Sequence, residues 1–148
     1  MSHPDPRAHV VAEALTWIGT PYHHRGKLKG VGVDCAQLPL CVYAGAGLLA
    51  DFDTGPYPAD WHQHRGEERY AAIVLTRARE LASPGAAGPG DLILWKFGRA
   101  FSHGTLVIDR SLVIHASRRD DAVVLADIDR DSEFIGRPAR AFSLFEGG

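Results

Sequence analysis

Gly30-Val31-Gly32-Val33-Asp34-Cys35-Ala36-Gln37-Leu38-Pro39-Leu40-Cys41-Val42-Tyr43-Ala44-Gly45 runs from a glycine-punctuated loop into an apolar segment. Asp34 is a good N-cap residue, and the apolar residues after it read as a largely buried helix ended by Gly45 and Gly47. Cys35 would then sit at a helix start, where unpaired N–H groups and the positive end of the helix dipole favour thiolate over thiol. Pro39 conflicts with a regular helix, because beyond the first turn a proline removes a backbone donor at a cost of about 3 kcal/mol, so the helix is expected to distort there.

On either side the pattern divides in two. Asp5-Pro6 reads as N-cap and first helical residue, with Val10, Val11, Ala14, Leu15 and Ile18 on one face up to Gly19. Asp51 to His64 is a loop rich in proline, glycine and aromatics, and Glu67 to Leu81 has the spacing of a third helix, closed by breakers from Ser83 to Gly90. Beyond it, Leu92-Ile93-Leu94-Trp95, Thr105-Leu106-Val107-Ile108, Leu112-Val113-Ile114, Val123-Val124-Leu125 and Arg140 to Phe145 are short strand-like runs. Helices followed by an antiparallel sheet make an α+β layout, with N-terminal helices packed on a C-terminal sheet.

The length of 148 residues suits a single domain, 1–148, and 45% hydrophobic residues are enough for a sizeable core. A net charge of −2 from 16 basic and 18 acidic residues, without long runs of one sign, argues against nucleic acid as a partner. Neither a membrane span nor a secretory signal is read in the chain. Cys35 and Cys41 would stand about 9 Å apart along one helix, too far for a disulfide, so two free thiols are expected, with Cys41 an inert core residue. A tight turn around Asp109-Arg110-Ser111 would bring His103, at the start of one strand, beside His115, at the end of the next. One imidazole could then take the cysteine proton while the other fixes its tautomer.

Five motifs in order carry a family resemblance: Gly19-Thr20-Pro21-Tyr22, Asp34-Cys35-Ala36-Gln37, Gly90-Asp91-Leu92, Ser102-His103-Gly104-Thr105 and His115. Over residues 8 to 128 the chain resembles the NlpC/P60 family of papain-like cysteine peptidases. It departs from the usual pattern in Ala36-Gln37 after the cysteine and Gly104-Thr105 after the histidine. The resemblance implies Cys35 as nucleophile, His103 as general base, His115 as its orienter, and Tyr22 with the Cys35 N–H as oxyanion donors. Asp34, Ser102 and Trp61 are candidate substrate-binding residues, Trp61 because aromatics line pockets.

No metal or other cofactor is implied, and the expected substrate is the stem peptide of peptidoglycan. The narrower resemblance is to stand-alone versions carried in tails of phages and gene transfer particles, with tail proteins as partners and the wall or periplasm as place of action. Three alternatives stand beside this reading. One is amidase or acyltransferase chemistry on the same triad. Another is an inactive structural tail protein. The third is a zinc hydrolase using some of the eight histidines, such as His23-His24 and His62-X-His64, although the helical His-Glu-X-X-His pattern is absent. Arg118-Arg119-Asp120-Asp121 reads as a solvated turn.

Overall fold

The computed structural model describes residues 5–48, 78–98 and 100–145. Helix α1 (Pro6–Leu15) begins as the sequence predicts: Asp5 is its N-cap and accepts the Arg7 N–H at 3.0 Å. Its end does not follow the apolar spacing. The last turn tightens, with Trp17 N–H on the Ala14 carbonyl, and the chain rotates, leaving Leu15 and Ile18 exposed while Val10, Ala14 and Trp17 are buried.

Helix α2 (Gln37–Gly45) closes as a Schellman motif, with Leu48 N–H on the Tyr43 carbonyl, Gly47 N–H on that of Ala44, and Gly47 at φ +81°. Its start explains Pro39. Leu38 N–H already reaches the Asp34 carbonyl at 3.0 Å, so the helical path begins at Asp34. Pro39 has no N–H for the Cys35 carbonyl one residue further on, and the regular ladder resumes only from Gln37.

The sheet is six-stranded and antiparallel, in the order β3-β8-β4-β5-β6-β7, from β3 (Arg79–Glu80), β4 (Leu92–Phe97), β5 (Ala100–Asp109), β6 (Leu112–Ser117), β7 (Ala122–Asp127) and β8 (Ala139–Ser143). A separate small ribbon pairs β1 (Lys27–Leu28) with β2 (Gly32–Val33). The expected third helix, Glu67 to Leu81, lies largely outside the described residues, as does the loop from Asp51 to His64. Its end is corrected: Arg79 and Glu80 pair with Ser143 and Phe142 as an edge strand. Cross-strand pairing there overrides the local helical spacing.

Both faces of the sheet are covered, which pattern alone did not show. Leu92, Leu94, Leu106, Ile114 and Phe142 pack with Val10, Ala14, Leu38 and Val42 of the helices. Ile93, Trp95, Val107, Val113 and Ala141 form a second core on the opposite face with Phe134, from the segment between β7 and β8. The Gly90-Asp91-Leu92 motif joins helices to sheet. Arg7 of α1 reaches the buried Asp91 carboxylate at 3.0 Å, and Tyr43 of α2 donates to the Gly90 carbonyl at 2.8 Å. Among the described residues no helix is long and apolar enough to cross a membrane.

Candidate active site

Cys35 is held by what precedes it. The Asp34 side chain is buried; its Oδ1 accepts the N–H groups of Ala36 at 3.1 Å and Gln37 at 2.9 Å, the capping expected from sequence. Its Oδ2 accepts the Arg25 N–H at 2.7 Å, which ties the loop ahead of β1 to the helix mouth. Gly32 is required there by close approach, since a Cβ would lie 2.6 Å from that of His23.

The Gly19-Thr20-Pro21-Tyr22 loop is pinned from two sides. Gly19 N–H and the Thr20 carbonyl pair with Val123 of β7, and Tyr22 N–H reaches the Asp121 carbonyl at 3.0 Å. On the other side the Pro21 carbonyl and His23 N–H pair with Val33 of β2. Tyr22 is thereby fixed with its hydroxyl donating toward Cys35 Sγ at 3.9 Å. Burial raises the Tyr22 pKa, reinforced by Cys35 and Asp34, so the hydroxyl keeps its proton and stays a donor.

The Cys35 thiol donates in turn to the Ser102 carbonyl at 3.8 Å, the residue immediately before His103. Ser102 is buried, and it is this carbonyl that meets the sulfur. Burial acts against the expected thiolate. Desolvation first, and Asp34 second, push the Cys35 pKa from its ordinary 9.0 up to about 12. That shift corresponds to roughly 4 kcal/mol against the anion, less in so far as the sulfur keeps some exposure, whereas a helix terminus contributes about 0.3–1 kcal/mol. Burial outweighs the helix terminus and favours the neutral thiol.

The β5–β6 turn is Arg110-Ser111, with Arg110 at φ 56° and Asp109 paired with Leu112, so the hairpin forms where the sequence places it. His103 Nε2 and His115 Nδ1 lie 2.8 Å apart. The rings are clamped by aromatics: Phe97 stacks on His103 with centroids 4.4 Å apart, and Phe134 meets His115 edge-on at 5.0 Å. His115 is fully buried, and desolvation lowers its pKa to about 4. Among the described residues its Nε2 has no hydrogen-bond partner, nor has Glu133 Oε1, which stands 3.9 Å from His115 Nδ1.

A stability prediction follows from that pKa. The unfolded chain binds the His115 proton more readily than the folded one, so this contribution is whole above about pH 6.5 and is lost as pH falls toward 4. Urea unfolding at pH 4.5 and pH 7 should show His115→Gln losing roughly 2–3 kcal/mol less than the wild type between the two. Glu133, pushed up chiefly by desolvation, acts with the opposite sign, losing stability as pH rises through its raised value.

Glu133, Phe134 and Phe97 are site residues that the sequence reading missed; they come together only when the segment after β7 folds back across the sheet. Trp61, His62 and His64 lie outside the described residues. His23 and His24 form no metal cluster among the described residues: His24 faces Asp34 at 3.9 Å, and His23 Nδ1 lies 3.0 Å from the His24 carbonyl. The Arg118–Asp121 turn is not merely solvated, because Arg119 grips Asp131 through both terminal nitrogens at 3.0 Å. Cys41 is a free thiol as expected but half-buried, its sulfur 3.9 Å from the Lys27 carbonyl of β1.

The family model for the NlpC/P60 family matches residues 19–132. Among solved structures the chain is similar to the NlpC/p60 domain of the peptidoglycan hydrolase SagA, with TM-score 0.63 and 23% identity over 93% of this chain and 97% of that one. The peptidoglycan hydrolase RipB of Mycobacterium tuberculosis matches with TM-score 0.65 and 22% identity, covering 96% and 66%. RipD of the same organism, described as a non-catalytic NlpC/p60 domain protein adapted to peptidoglycan binding, matches with TM-score 0.61 and 19% identity, covering 97% and 100%. The chain spans about half of NlpC2 from Trichomonas vaginalis, which it also resembles in fold. No curated protein sequence matches significantly. With three-quarters of its residues inside the family model and both helices and sheet arranged as in these neighbours, the chain belongs to the NlpC/P60 family.

Proposed function

We propose that the chain is a cysteine peptidase that hydrolyses a peptide bond in the peptidoglycan stem. The observation that carries this reading is the junction at Ser102-His103. The Cys35 thiol donates to the Ser102 carbonyl, the Tyr22 hydroxyl points at the same sulfur, and the next residue, His103, is bonded to His115 at 2.8 Å.

In this mechanism the resting thiol gives its proton to His103 Nδ1 as sulfur attacks the substrate carbonyl carbon. The carbonyl electrons move onto oxygen, where the Cys35 N–H and the Tyr22 hydroxyl receive the charge. Collapse of that intermediate breaks the C–N bond; His103 returns the proton to the leaving amine, and a thioester remains on Cys35. Water, deprotonated by His103, then releases the acyl product.

For Nδ1 to accept a proton, the neutral His103 must carry its own on Nε2 and donate it to His115 Nδ1. The His115 proton then sits on Nε2, where burial without a partner costs about 1–3 kcal/mol. Asp34 fixes the helix mouth, and with Ser102 and Trp61 it completes the proposed substrate contacts. We place the enzyme in a phage-like tail that carries it to the wall, so purified particles should contain the chain by proteomic analysis.

Mass spectrometry of peptidoglycan fragments digested by the purified chain tests the reaction. The expected products are fragments cut at a peptide bond within the stem, and they identify that bond. Cleavage that survives a thiol alkylator but is abolished by EDTA would overturn the thiol mechanism. Release at an amide outside the stem, or transfer to an added amine, would point to the amidase or acyltransferase alternatives. Binding without cleavage would place the chain with proteins such as RipD.

A further inference from the structure

We propose that His103 Nε2, His115 Nδ1 and Glu133 Oε1 form a binding site for a divalent d-block cation, zinc foremost, and that the bound ion switches the thiol chemistry off. The three donor atoms lie within 4.8 Å of one another. Two imidazole nitrogens and a carboxylate oxygen are a donor set that zinc accepts, with bonds of about 2.0–2.2 Å. Tetrahedral bonds of that length place neighbouring donors about 3.3 Å apart. The observed separations of 2.8 Å between the imidazoles and 3.9 Å between His115 and Glu133 bracket that value, and the third lies within 4.8 Å, so the ion would draw the Glu133 side chain inward toward His103.

Glu133 Oε1 supplies a second, independent sign. It is buried with no hydrogen-bond partner among the described residues, beside a ring nitrogen already engaged by another ring. A cation between the three would satisfy the oxygen where the protein does not. The charges around it are mixed: Asp131 and Asp120 are gripped by Arg119, and Arg137 donates to the Glu133 carbonyl, which leaves the Glu133 carboxylate without an arginine bond among the described contacts. Entry is from the Glu133 side, whose side chain is 15% exposed while that of His115 is 0%.

The inhibitory consequence rests on the proposed mechanism; the binding does not. An ion on His103 Nε2 forces the ring's remaining proton onto Nδ1, the nitrogen that must accept the thiol proton.

The test is titration of the metal-depleted full chain with cobalt(II), read by visible ligand-field absorption, followed by displacement with zinc. One equivalent should bind with a tetrahedral spectrum, Glu133→Gln should weaken binding at least about ten-fold, and Cys35→Ala should leave it unchanged. Zinc X-ray absorption of the unmodified chain, which needs no variant to fold, should show two imidazoles and no sulfur near about 2.3 Å. Wild-type affinity in Glu133→Gln, loss of binding in Cys35→Ala, a sulfur scatterer, or no binding at all would each overturn the site. A chain that binds cobalt as described yet cleaves no stem peptide when metal-free keeps the site and sinks the peptidase reading alone, whereas metal-free cleavage left undiminished by one equivalent of zinc overturns the inhibition.

Discussion

Cys35→Ala should leave a folded chain that cleaves stem peptides at least about 10⁴-fold more slowly than the wild type, because a nucleophile and its base act as a unit. The substitution removes only the sulfur from a half-buried site, and the Asp34 cap acts on the backbone of Ala36 and Gln37, which the change leaves in place. Circular dichroism and a urea midpoint close to wild type establish that the fold survives. Muropeptide turnover followed by chromatography then reads the chemistry. Residual turnover within ten-fold of wild type would remove Cys35 from the mechanism. With the resting pKa near 12, alkylation of Cys35 by iodoacetamide should climb as pH rises from 7 to 10 rather than plateau, since the small thiolate fraction grows ten-fold per pH unit there. A plateau near neutrality would mean a preformed ion pair.

Tyr22→Phe is expected to lower kcat about 100- to 1000-fold with little change in KM. The ring keeps its place, since the loop is held through main-chain bonds to β7 and β2, so the variant removes one hydroxyl and nothing else. That hydroxyl points at the sulfur at 3.9 Å, and burial keeps it protonated across the working pH range. The loss should therefore be the same at pH 6 and pH 9. An unchanged kcat would make Tyr22 a wall of the cleft, while a rise in KM alone would make it a binding residue.

The parts of the fold legible in the sequence were those with local causes. Asp5-Pro6 starts a helix through its own side chain and ring, Asp34 caps the next one, and Arg110-Ser111 turns one strand into the next, which is how two histidines twelve residues apart could be placed side by side. What stayed hidden has non-local causes. Arg79-Glu80 follows a helical period but pairs with Phe142-Ser143, and no local signal announces a partner more than sixty residues away. Phe97 and Phe134 read as ordinary apolar residues until the segment after β7 lays Phe134 against both imidazoles. The upward push of burial on the thiol pKa was hidden for a related reason: the cap position is visible in sequence, whereas the surroundings of the sulfur are set by β5 and by Tyr22.

The placement of β8 also governs how such a chain can be made. Leu92 of β4 pairs with Phe142, fifty residues later, and β8 separates β4 from β3. Until β8 leaves the ribosome, the strand beside the His103 strand has a bare edge and Phe142 is missing from the core. The nascent domain therefore closes only after β8 has emerged, which delays assembly of the candidate site while exposing a sticky strand that a chaperone can shield.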